Sequence, residues 1–129
     1  MRDDEAAAEL VRAAGQGDPG SVRAEVANAM VAMKKKFYGR GPESAKAWIL
    51  DNYVFVAMEG GLTRAEETLL ADGKADQVRA FRLEFQETMT GPVTAAVEQL
   101  VGRRVLTYHS QIVFDPTHTF EMFVLEPER

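Results

Sequence analysis

The chain has 129 residues, no cysteine and a formal net charge of −5, with 46% hydrophobic and 27% charged residues. Such a length suits one globular domain of about 100–200 residues, able to bury roughly two-thirds of its unfolded surface without covalent staples. The absence of cysteine excludes disulfides, a thiol nucleophile and thiolate metal sites, and the acidic balance argues against bulk non-specific DNA binding.

No segment has the length of a membrane span. The longest apolar run, Tyr53 to Met58, is six residues, where a spanning helix needs about 20. The acidic start Met1-Arg2-Asp3-Asp4-Glu5 is unlike a secretory signal, so a cytoplasmic location is expected. Residues 1–20 read as a frayed or disordered lead-in. Only Leu10 and Val11 are sizeable apolar side chains there, and Gly15, Gly17, Pro19 and Gly20 break up its second half. Residues 21–129 read as one domain.

Its first strong element is a helix over 21–38, because Val22, Val26, Met30, Met33 and Phe37 recur on one face. Asp18 or Ser21 can cap it, and Gly39 can stop it. Pro42 then opens an expected short helix over 42–48. Residues 50–59 read as a strand, rich in β-branched and aromatic side chains and closed by Gly60-Gly61. Thr63-Arg64-Ala65-Glu66 is a capping box for a helix ending near Asp72. From Lys74 a helical period continues through Val78, Phe81, Phe85, Met89, Val93 and Val97 to Gly102. Pro92 makes it one kinked helix or two meeting helices. Residues 105–114 and 118–125 read as a hairpin around Asp115-Pro116-Thr117, with Phe120, Met122 and Val124 forming a fully apolar strand face. The expected fold is α+β, in the order α-β-α-α-β-β: a small three-stranded, mainly antiparallel sheet packed by long helices. Its second face, presenting residues such as Phe55 or Phe123, wants covering by a second copy, which predicts a homodimer.

Chemistry-bearing constellations are sparse. His109 and His118, with Asp115 near, form a possible metal-ligand set, but the spacing matches no motif with a known mechanism, and solvated strand histidines are the simpler reading. Glu66-Glu67 and Glu84-Glu87 read as solvated helix faces. No phosphate-binding glycine loop and no nucleophile–base–orienter set can be assembled, so no catalytic residue and no cofactor is expected. The local anomaly is basic. Lys34, Lys35, Lys36, Arg40 and Lys46 stand against Glu43, a net +4 within 13 residues of an acidic chain. With Tyr38 or Trp48 as a stacking surface, this patch suits an anionic ligand, a nucleotide or an anionic partner surface, whereas helix C-capping accounts for the same lysines. A second anion candidate is the turn Gly60, Gly61 and Thr63 at a helix start.

Phe37-Tyr38-Gly39-Arg40-Gly41-Pro42, Met58-Glu59-Gly60-Gly61-Leu62-Thr63, Glu66-Glu67-Thr68-Leu69-Leu70, Phe85-Gln86-Glu87, Val101-Gly102-Arg103-Arg104-Val105 and Val124-Leu125-Glu126-Pro127 together resemble the MpsC-like family over residues 20–127. Thr90-Gly91-Pro92 departs from it, where a charged residue is expected before the proline. The resemblance implies association with a Na+-translocating, membrane-potential-generating system whose membrane parts resemble inorganic-carbon transporters. It implies an accessory role for a chain with no membrane span and supplies no catalytic residues. Together these readings lead us to expect a non-enzymatic, dimeric accessory or regulatory protein, with a small-molecule or nucleotide sensor as the alternative.

Overall fold

The computed structural model describes residues 3–15 and 21–128. Four helices and four strands follow in order: α1 (Asp3–Ala14), α2 (Val22–Tyr38), β1 (Ser44–Leu50), β2 (Tyr53–Glu59), α3 (Arg64–Ala71), α4 (Ala75–Val101), β3 (Val105–Val113) and β4 (His118–Leu125). The α+β class is as expected, but the strand count is corrected from three to four. All neighbours are antiparallel, in the order β1-β2-β4-β3.

The additional strand replaces the short helix expected over 42–48. In β1, Ala45, Ala47 and Ile49 face the core, while Ser44, Lys46, Trp48 and Leu50 face away. Asp51-Asn52 closes a two-residue hairpin into β2, with Asp51 at φ 53°, a left-handed conformation that aspartate tolerates. Two alanines and a lysine gave this strand little β-signal, so the register with β2 decides its conformation.

The helices form for local reasons that the pattern captured. Ser21 caps α2 by accepting from the Ala24 amide, and Gly39 ends it at φ 84°, with its N–H donating to the Lys35 carbonyl. Asp18, the other candidate cap, lies outside the described residues. The capping box of α3 has both its bonds: the Thr63 hydroxyl accepts from the Glu66 amide and the Glu66 carboxylate accepts from the Thr63 amide. α4 is one helix of 27 residues running through Pro92. Around the proline, the Thr90 and Thr94 hydroxyls donate to the Gln86 and Thr90 carbonyls at 2.8 and 2.7 Å.

Residues 3–14, where a frayed lead-in is the expectation, form α1. Ala6, Ala7, Leu10 and Ala14 are buried on one side of it, against α2 and α4. Alanines let helix backbones approach closely and carry high helix propensity. A count of large apolar side chains overlooks both contributions. Asn28 Nδ2 on α2 donates to the Ala14 carbonyl at 3.2 Å and ties down the end of α1.

The inner sheet face meets α2 and α4. It carries Val54, Val56 and Met58 from β2, Thr119, Glu121, Phe123 and Leu125 from β4, and Tyr108, Ser110 and Ile112 from β3. Phe123 is therefore an inner residue, fully buried and stacked on Tyr108 at 4.7 Å, and the expectation that it faces outward is corrected. Phe55 does face outward, 38% exposed.

Candidate functional site

The inner face holds polar side chains that core packing does not require. Glu121, on β4 between Thr119 and Phe123, has no exposure at all. Its Oε2 accepts the Tyr108 hydroxyl at 2.7 Å. Its Oε1 lies 3.0 Å from Lys34 Nζ as an ion pair. Lys34, on the inner side of α2, is itself buried, and its ammonium stands 5.2 Å from the centre of the Tyr38 ring.

A second buried pair adjoins the first. Arg82 of α4 donates from Nε and Nη2 to the two oxygens of Glu66, both at 2.6 Å, and from Nη2 to the Gly61 carbonyl at 3.3 Å. Its guanidinium lies 4.0 Å from the centre of the Tyr38 ring, so both cations are within cation–π reach of Tyr38. Glu66 thereby does two jobs, capping α3 and holding Arg82. Burial alone would raise the Glu66 carboxyl. The hydrogen bonds from Arg82 and from the Thr63 amide, with the charge of Arg82, outweigh burial and hold it below its ordinary value. Burial pushes the Tyr38 phenol up to about 12; Arg82 opposes this, while Glu121 and Glu66 add to it. Burial, reinforced by the charge of Glu121, pushes Tyr108 far above the ordinary phenol range.

A cavity of about 180 Å³ opens beside this cluster, between the C-terminal half of α2, α4 and the β3–β4 end of the sheet. Lys34, Arg82 and Arg79 bring cations to its wall, and Tyr38, Phe85 and Tyr108 bring rings. Glu66 and Glu121 stand behind their cations and do not line it.

The predicted basic patch is thus dispersed. Lys34 points inward. Lys35 is exposed, and Lys36 pairs with Glu9 of α1 and lies over the Phe37 ring. Arg40 pairs with Glu67 at 2.8 Å on the surface. Lys46 is on the outer sheet face, its ammonium 5.3 Å from the centre of the Trp48 ring. Only Lys34 and Tyr38 of that set come together at the cavity. In the turn before α3, the Gly60 amide donates to the Thr117 carbonyl and the Thr63 amide to Glu66, so these two donors are engaged within the chain. His109 pairs with Met122 and His118 with Val113, four positions apart on β3 and so about 13 Å along the strand. Among the described residues no group of three or more His, Asp or Glu could hold a metal ion.

Arg82, Glu66, Tyr108 and Glu121 were missed as site residues, and Glu66 is a buried ion-pair member, not part of a solvated face. A signal existed. Val78, Arg82, Phe85 and Met89 are spaced by four, three and four residues, which sets an arginine on the buried stripe and leaves Phe81 52% exposed. In β4 the same logic sets Glu121 in line with Phe123 and Leu125.

The model for the family described as "Na+-translocating membrane potential-generating system (MpsC)" matches residues 19–127. The chain belongs to the MpsC family. The match takes in α2 through β4, and so every element that builds the cavity. A curated relative, the "Uncharacterized protein YbcI" of Bacillus subtilis (strain 168), is 24% identical over 94 residues, which is 72% of this chain and 76% of YbcI. No solved structure matches. Among the described residues no helix of this MpsC protein is long and apolar enough to cross a membrane.

Proposed function

We propose that this MpsC protein is a non-enzymatic accessory or regulatory component of a Na+-translocating or inorganic-carbon transport system, located in the cytoplasm and working as a homodimer. The observation that carries this reading is the outer face of the sheet. Trp48, Phe55 and Met122 lie in one cross-strand row and Leu50, Tyr53 and Val124 in the next. Leu50 is 67% and Tyr53 50% exposed, so the apolar surface is open to a partner. No helix of the described chain covers it, since α2 and α4 lie on the other side.

A second copy fits this face. Four strands about 4.8 Å apart and seven residues long present roughly 19 by 23 Å, about 440 Å² in projection and more with side-chain relief. That is the scale of one side of a standard interface, about 800 Å² of accessible surface. The face carries both Lys46 and Glu59, so a two-fold copy can meet it without net charge. The family's description supplies the membrane system, and a chain whose described helices are none of them long and apolar enough to span fits as an attachment to it.

Light scattering coupled to size exclusion tests the dimer. The parent chain is expected to run as a dimer at micromolar concentration, and Phe55→Glu or Met122→Glu as folded monomers. A monomeric parent overturns the reading. A coding region set beside a membrane transporter gene is expected, and its absence counts against the accessory role.

A further inference from the structure

The geometry points to the cavity between α2, α4 and β3–β4 as a binding site for a small organic carboxylate with an apolar or aromatic body. This inference uses the inner face only, and does not depend on the dimer.

Three observations carry it. First, the cavity's charges have one sign. Lys34, Arg79 and Arg82 reach its wall, while the carboxylates paired with them, Glu121, Asp76 and Glu66, lie outside the lining. An anion entering the cavity therefore meets cations before it meets their partners. Second, donors remain for it. An ammonium has three N–H groups and Lys34 has one carboxylate oxygen beside it. Arg82 is engaged with Glu66, the Gly61 carbonyl and the Tyr38 phenol, so Lys34 carries the open donors. The Ser110 side chain lies on the same wall, within hydrogen-bonding reach of the Tyr108 phenol. Third, most of the remaining lining is apolar, with Gln86, Gln111 and Thr119 as polar exceptions. Met33, Phe85, Met89, Tyr108 and Ile112 border a space of about 180 Å³, enough for a ring of benzene size, which roughly 150 Å³ accommodates. A benzoate-sized anion fits.

The energetics of the cluster argue the same way. Burying an ion pair rarely stabilises a fold over apolar side chains of equal volume. Glu121 is completely buried, with its two oxygens met by the Tyr108 hydroxyl and the Lys34 ammonium, so it is a costly choice for stability. What it does is hold Lys34 at the cavity wall, with Tyr108 fixing its other oxygen.

Titration calorimetry of the full chain with benzoate tests the inference, with benzamide as the neutral isostere and inorganic phosphate as the anion lacking an apolar body. Benzoate is expected to bind one to one with a dissociation constant of about 10 μM to 1 mM, and benzamide and phosphate at least about tenfold more weakly. Lys34→Met is expected to weaken benzoate about tenfold or more. Because that change touches a buried pair, Leu83→Glu serves beside it: Leu83 is 55% exposed at the cavity mouth, so the added carboxylate repels the ligand without disturbing the fold. Amide shifts in a heteronuclear NMR titration are expected on α4 and β3. No saturable binding, equal binding of benzamide, full affinity in folded Leu83→Glu, or shifts confined to the outer sheet face would each overturn the assignment.

Discussion

The Arg82–Glu66 pair gives the sharpest test of how the interior is held together. Both side chains are buried, 8% and 6% exposed, and both nitrogen–oxygen contacts are 2.6 Å. Solvent screening is therefore weak, and each charge-assisted bond is worth about 1.5–3 kcal/mol before desolvation is subtracted. Arg82→Met leaves a buried carboxylate with only the Thr63 amide, and a loss of about 3–5 kcal/mol is expected. Glu66→Gln keeps an oxygen for that amide, since glutamine also serves in a capping box, so a smaller loss of about 2–3 kcal/mol is expected. The double variant should lose less than the two single losses added together, with a coupling of about 1.5–3 kcal/mol. Urea unfolding followed by far-UV circular dichroism at neutral pH measures all four proteins. The pH dependence has a definite sign. The folded Glu66 carboxyl titrates below its ordinary 4.5, so its contribution is present above that pH and lost as the pH falls through the folded value. Glu66→Gln should flatten that acid limb. Losses that simply add, or single variants within about 1 kcal/mol of the parent, would refute the pairing as an energetic unit.

Four further outcomes are expected. Leu10→Ala, at a position 1% exposed on α1, should cost about 2–4 kcal/mol in the same unfolding assay; a change under about 0.5 kcal/mol would mean that α1 does not pack as described. Gly61→Ala should cost about 1–3 kcal/mol, because Gly61 has φ 86° and a Cβ there would stand 3.1 Å from the Pro42 backbone; a stability equal to the parent's contradicts that turn geometry. Lys34→Met and Glu121→Leu should each destabilise by about 3 kcal/mol, yet together return to within about 1 kcal/mol of the parent, and a double variant worse than either single one would show the pair to be structural. Absorbance titration of tyrosinate should show a late component near 12 that Tyr38→Phe removes. Because folding raises that phenol, its contribution to stability is present below the unfolded value of about 10 and fades as the pH climbs toward 12.

What could be read from the residues was whatever rests on local chemistry. The caps at Ser21 and Thr63, the stop at Gly39, the strand ending at Glu59 and the terminal hairpin all depend on side chains within a few positions of one another. Two elements escaped because their determinants are small or distant. α1 depends on alanines, whose value is close approach to α2 and α4, and β1 depends on pairing with β2 more than on its own propensities. The site was half legible. Lys34 was singled out for charge in a row and Tyr38 as a stacking surface, but Lys34 sits one residue from Met33 and Lys35 on a helix that turns it inward. Arg82 and Glu121 break an apolar stripe singly, and a lone charge in a stripe is usually read as solvated until the partner's position is known.

β4 shows why the two faces of the sheet have to be argued together. Its outer side chains Phe120, Met122 and Val124 are all apolar, and its inner ones include Glu121. Patterning alone would turn the strand over, burying the apolar trio and releasing the carboxylate. A one-residue slip in register would accomplish this, but it would also expel Phe123 and Leu125, both fully buried. It would break the Tyr108–Phe123 stack and leave Lys34 buried without its partner. Each of those losses exceeds the gain of hiding side chains that are already partly covered by neighbours, as in the stack of Phe55 on Phe120 at 5.8 Å. The observed orientation therefore wins for a chain in which both faces must be apolar. The inner face packs the helices and spares one charged position beside the cavity, and the outer face keeps aromatic and aliphatic surface that a lone copy leaves in water.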